Sequence, residues 1–147
     1  MTAVSGEVNL EKLLASIKPY WRPGRYVFSR VDEISSLPLD KIFFFFREGE
    51  AITVVLKQAD ADDLGLPYEF VSAWITLSVH SSLEAVGLTA VFSGALAAEG
   101  LSCNVVAGYY HDHAFVKYTD AAKAIDVLEA LSRQYGRISA YDDLDYL

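Results

Sequence analysis

Two short stretches concentrate the side chains that could do chemistry. In the first, Ser81-Ser82 closes the apolar segment Glu69 to His80 and precedes a run that reads as helix. A helix that starts there exposes the unpaired N–H groups of its first turn, at the positive end of its dipole. A carboxylate or phosphate can occupy that position, or Ser82 can satisfy it by capping its own helix. In the second, His111-Asp112-His113 forms the one histidine cluster. Two histidines at i, i+2 would share a strand face and could hold zinc with Asp112. The trio falls in a predicted tight turn, however, and three successive residues do not easily wrap one ion, so no metal is expected. Asp112 is left with two readings, a turn former or the counter-charge of a ligand ammonium group.

Other candidate chemistry is thin. Gly87 lies inside the helix predicted from Leu83 to Glu99, where glycine costs about 1 kcal/mol against alanine. It allows either the close approach of a ligand or backbone or tight packing of helix on sheet. Cys103 is the single cysteine. It sits in a predicted buried strand without a neighbouring base to lower its pKa, so it reads as a small core residue. No GxSxG, P-loop or GxGxxG motif is present, and no acid/base pair stands out. The expectation is a protein without catalysis and without a cofactor.

The elements that must position these residues follow from periodicity. Glu7 to Lys18 predicts a helix, with Leu10, Leu13, Leu14 and Ile17 on one stripe, Asn9 or Ser5 as cap, and Pro19 as stop. Trp21 to Gly24 reads as a turn and Arg25 to Val31 as a strand. Lys41 to Arg47 and Ala51 to Lys57 form a hairpin around Glu48-Gly49-Glu50. The Phe43–Phe46 run is apolar on both faces, which demands cover by helices on one side and by a second layer or subunit on the other. Gln58 to Leu64 is a short helix stopped by Gly65. Glu69 to His80 reads as a twelve-residue strand. A helix capped at Ser81 or Ser82 and stopped by Gly100 follows. Leu101 to Tyr110 and Ala114 to Tyr118 are strands around the His111–His113 turn. A helix from Asp120 ends at Gly136, and Arg137 to Tyr141 reads as a last short strand. A faint internal repeat lays Phe46–Ile52 on Tyr109–Phe115. The second half then has the βαββαβ order of a ferredoxin-like fold, while the first half has its helix displaced to the N-terminus.

Composition limits the partners. The chain has 147 residues and a net charge of −8. That acidity argues against a nucleic-acid backbone or an anionic membrane as partner. The longest continuous apolar run, Ile42 to Phe46, falls far short of the ~20 residues of a membrane span. With no secretory signal visible and one cysteine, the expected compartment is the cytosol.

The stretch Ser78–Ala90, followed by Gly100–Val116, resembles an ACT domain. The whole chain is similar to small bacterial tandem ACT-domain proteins, through its NLEKLL helix, the PG-x-YVF strand, the YEF…WITL-VHSSLEAVGLTA core and the SCNVVAGYYHDH hairpin. The Phe43–Phe46 run is heavier in Phe than that pattern. The resemblance implies an α+β chain of two ferredoxin-like ACT domains in tandem, antiparallel sheets with helices on one face. It divides the chain into an N-terminal unit at 1–68, an ACT domain at 69–141 and an acidic tail at 142–147. It also implies a non-catalytic regulator that binds an amino acid between paired domains, in a homodimer. Carried over to this chain, the ligand-binding positions are Ser81, Ser82, Val86, Gly87 and Leu88, then Asn104, Val105 and Val106. Amino-acid-sensing relatives carry a hairpin aspartate at the position of Asp112. The alternative is a module that has lost its ligand and serves protein interaction or dimerisation, which the Phe-rich strand motivates.

Overall fold

The computed structural model describes residues 6–79 and 81–144. Ser5, His80 and the last three residues of the acidic tail lie outside the described residues. The chain folds as α+β: a six-stranded, fully antiparallel sheet with strand order β2-β3-β1-β4-β6-β5 and helices against one face. The strands are β1 (Pro19–Val31), β2 (Ile42–Arg47), β3 (Ile52–Lys57), β4 (Val71–Leu77), β5 (Cys103–Ala107) and β6 (Asp112–Lys117). The helices are α1 (Leu10–Ala15), α2 (Gln58–Leu64), α3 (Leu88–Ala98) and α4 (Ala121–Leu144).

The sheet has an internal pseudo-twofold relation. Tyr26 pairs with Lys57 in one half, and Ser72 pairs with Lys117 in the other. Tyr26 and Ser72 also pair with each other across the β1–β4 seam. Thus β1, β3 and β2 correspond to β4, β6 and β5, and the strands β3 and β6 share one burial pattern. The true equivalent of Asp112 is Ile52, which moves the repeat three residues from the overlay suggested by the sequence. Between β4 and β5 the chain inserts α3. Between β1 and β2 it has only a loop and a single 3-10 turn, Leu39–Lys41. Helix α1 packs instead on the second half, where Ser132 Oγ of α4 donates to the Ala15 carbonyl at 2.8 Å.

Alternation along each strand makes two cores. On the helix side, Ala73, Ile75, Leu77, Ala114 and Val116 meet Leu13, Phe92 and Leu128 from α1, α3 and α4. The neighbouring Val27, Val54 and Leu56 meet Ala61 of α2. The opposite face carries Tyr26, Val55, Trp74 and Phe115, all buried although no helix covers them. The sheet covers this face by curling. β2 and β6 lie four positions apart and would stand about 19 Å apart in a flat sheet, yet the rings of Phe44 and Phe115 are 5.8 Å apart. A bulge on β2 opposes Ile42 and Phe44 to adjacent residues of β3 and leaves Phe43 as the extra residue. Phe43 and Phe44 therefore both join the aromatic cluster. The cover expected from a second layer or subunit is supplied by the chain's own curled sheet, with Phe45 and Phe46 left 39% and 47% exposed.

Several boundaries differ from the sequence reading. Trp21–Gly24 is not a turn but part of β1, whose register shifts between Arg22 and Tyr26. There, Arg22 lies over the rings of Phe43 and Trp74 at 4.6 and 4.3 Å. Strand β4 has seven residues, not twelve. Gly136 does not end α4, whose backbone continues through the segment expected to be a strand. A single glycine within a helix costs too little to stop a helix already held by packing.

Candidate functional site

The largest change falls at Ser81-Ser82. Neither residue caps a helix, because α3 starts only at Leu88. Ser82 Oγ instead accepts from the Glu84 N–H at 3.1 Å, closing a local turn. Its own N–H donates to the Glu7 carbonyl at 3.0 Å, and Glu7 and Ser81 form a parallel bridge. The segment before α1 thus straps down the loop that follows β4. The helix cap is Gly87, with φ of 96° and no side chain to accept from the first turn. That positive φ explains the glycine: the position lies at the head of the helix, not within it.

The loop, the head of α3 and the ends of β5 and β6 enclose a cleft of about 470 Å³. Of the residues singled out in the sequence, Ser81, Ser82, Gly87, Leu88 and Asp112 line it. Val86 belongs to the same loop but is 83% exposed. Asn104, Val105 and Val106 lie on β5 and do not line the cleft. The next residue of that strand, Ala107, does, together with Leu83, Ala85, Thr89 and Ala90. Thr89 and Ala90 become visible in the sequence only if Gly87 is read as an N-cap, which glycine can be.

Asp112 is the one charged group among the described residues lining the cleft. It is the first residue of β6, not a turn residue; the turn is closed earlier, by the Gly108 N–H donating to the His111 carbonyl at 2.8 Å. Its side chain is 8% exposed. Burial raises its pKa above the usual carboxylate value, while a hydrogen bond from the Ser81 side chain and the nearby His111 act the other way. His113, the next residue of the strand, faces the aromatic side, where the Trp74 indole N–H donates to its Nδ1 at 2.9 Å. His111 Nδ1 lies 3.0 Å from the Val79 carbonyl. The three residues therefore point in different directions and do not converge on one point.

A buried carboxylate faces the head of a helix whose first N–H groups have no capping side chain. This pair of sites, one for a cation and one for an anion, matches the two charged groups of a zwitterion. Elsewhere, burial pushes the Cys103 thiol up to about 11, which leaves it protonated and poorly nucleophilic at neutral pH.

Two family models, each describing an ACT domain, match residues 5–73 and 69–130. A structure of a Vibrio cholerae protein of unknown function, titled a possible transport protein, is 44% identical; the match covers 84% of this chain and 95% of that one, with a TM-score of 0.76. The chain belongs to the ACT-domain family. Its ACT fold is shared more distantly by an Agrobacterium tumefaciens protein, at 18% identity, 79% and 89% coverage and a TM-score of 0.60. Aspartokinase III of E. coli, solved with aspartate and ADP, shares it at 14% identity and a TM-score of 0.53, over 77% of this chain and 32% of that enzyme. No curated protein matches the chain in sequence. ACT domains are typically regulatory amino-acid-binding modules, and the two matches here stand in tandem. No helix among the described residues is long and apolar enough to cross a membrane.

Proposed function

We propose that this tandem ACT protein is a non-catalytic cytosolic sensor that binds an amino acid in the cleft between the Ser81–Gly87 loop and Asp112. The ligand carboxylate takes the N–H groups of Leu88, Thr89 and Ala90, and its ammonium takes the Asp112 carboxylate. Gly87 lets the ligand lie against the backbone. The observation that carries this reading is Asp112 itself. A carboxylate that is nearly buried is ordinarily paired, and among the described residues no Lys or Arg forms an ion pair with it. An ammonium group brought by a ligand supplies the missing partner.

The two matched segments support a division into an N-terminal unit at 1–68 and a C-terminal ACT domain at 69–141, followed by the acidic tail at 142–147. Two copies are proposed to associate. Leu83 and Val86, on the loop that walls the cleft, are 71% and 83% exposed, and a second copy could cover them. Light scattering on the purified protein reports this directly, and a monomer at all concentrations removes it.

A thermal-shift screen against a panel of amino acids tests the ligand reading, since a ligand of the native state raises Tm by mass action. The expected result is a concentration-dependent rise with at least one amino acid, absent in Asp112→Asn. If the whole panel leaves Tm unmoved while the protein is a stable dimer, the chain is instead an interaction module, with the exposed Phe45 and Phe46 of edge strand β2 as its first candidate surface.

A further inference from the structure

The pseudo-twofold relation of the sheet provides an internal comparison for the cleft. Ile52 begins β3, pairing with Val31 of β1 and Arg47 of β2. Asp112 begins β6, pairing with Leu77 of β4 and Ala107 of β5. The two residues hold the same place in the two halves, and both are nearly buried, at 9% and 8% exposure. In the first half Ile34 and Leu37, from the loop that replaces α3, pack against the same cluster as Ile52 and fill the position with apolar side chains. In the second half the position holds a carboxylate and opens on a cleft. An aliphatic residue thus satisfies packing at this position in the first half, and the second half places a carboxylate there.

The lining of the cleft restricts what can enter. Besides Asp112, its described walls are hydroxyls and small or aliphatic groups: Leu83, Ala85, Leu88, Ala90 and Ala107. No Lys, Arg or His and no second carboxylate stands among them. A ligand that places its ammonium on Asp112 and its carboxylate on the α3 N–H groups has used both charged positions. A charged side chain on that ligand would be desolvated without a counter-charge, which is costly.

We infer that the cleft selects an α-amino acid with an uncharged side chain, and that each chain binds one such molecule, in its C-terminal half only. This rests on the amino-acid reading given above. Isothermal titration of the full-length protein with alanine, serine, valine, leucine, aspartate, glutamate, lysine and arginine tests it. The expected result is binding of one or more of the neutral amino acids, with one site per chain, and affinities for the four charged ones lower by roughly tenfold or more. A charged amino acid that binds as tightly as the best neutral one, or two sites per chain, overturns this inference and leaves the amino-acid reading standing. Absence of binding across the whole panel overturns both. The variant Ala107→Asp places a second carboxylate on the cleft wall. It is expected to weaken the neutral ligands without altering far-UV circular dichroism, and unchanged affinity in that variant counts against the assignment of the wall.

Discussion

The indole N–H of Trp74 donates to Nδ1 of His113 across 2.9 Å, with the two rings edge to face. An indole nitrogen can only donate, so Nδ1 is the acceptor and the imidazole proton sits on Nε2. Protonating His113 would set two N–H groups against each other. Burial lowers its pKa from 6.5, and the charges of His111 and Arg22 act in the same direction. The unfolded chain therefore binds this proton more readily, and stability contributed here is present above the ordinary value and lost as pH falls below it toward the folded value. Chemical denaturation of the wild type should show stability falling on mild acidification. The fall should be shallower in His113→Gln, and an identical slope in the two proteins would contradict the assignment.

Asp112 works in the opposite sense. Its pKa is raised above 3.8, chiefly by burial, so the folded protein holds that proton more firmly. Stability from this group is present below the ordinary value and lost as pH rises through the folded one. In the ligand-free protein burial therefore disfavours the ionised form of this group. Asp112→Asn should raise the Tm of the ligand-free protein, because it keeps the shape of the side chain and removes the charge that burial disfavours. The same variant should lose the rise in Tm with amino acid. A variant less stable than wild type in the absence of ligand would show that Asp112 is structural.

Phe44 closes the curled face, its ring lying 6.3 Å from Phe28, 6.1 Å from Trp74 and 5.8 Å from Phe115. Because it is half-buried, Phe44→Ala should cost about 2–3 kcal/mol, below the range for a fully buried phenylalanine. Loosening the cluster should also shift the tryptophan emission to the red. Phe45→Ala, on the more exposed neighbour, should cost less than about 1 kcal/mol. Equal costs for the two would mean that the sheet is flatter than described.

Gly87 combines a positive φ with a close neighbour: a Cβ there would lie 3.1 Å from Leu10 Cδ2. Gly87→Ala should destabilise the protein by about 1–2 kcal/mol through the left-handed backbone alone. Because the change sits at the head of α3, it should also weaken amino-acid binding. Gly94→Ala is the control, since a Cβ at that position meets nothing within 4 Å; it should be neutral or stabilising.

Much of the fold was legible in the sequence because it rests on local rules. The apolar stripe of α1, the hairpin Ile42–Lys57, the helix Gln58–Leu64 and the stop at Gly100 follow from periodicity, turn chemistry and glycine's access to positive φ. Ser81, Ser82, Gly87, Leu88 and Asp112 could likewise be singled out by residue type and resemblance. What distinguishes them could not. Helix α3 starts only at Leu88, after a loop that the Ser82 N–H ties to the Glu7 carbonyl, a contact between residues far apart in the chain. Gly87, read from the sequence as a helix interior residue, is the cap. The cover of Phe43 and Phe44 depends on curvature accumulated over the sheet, which no strand encodes by itself. The sequence by itself determined which groups exist and where the chain must turn, since those follow from neighbours along the backbone. Only the tertiary structure decided that Asp112 is buried opposite the head of α3 while its counterpart in the other half is Ile52, because burial and electrostatic environment are properties of what the fold brings together.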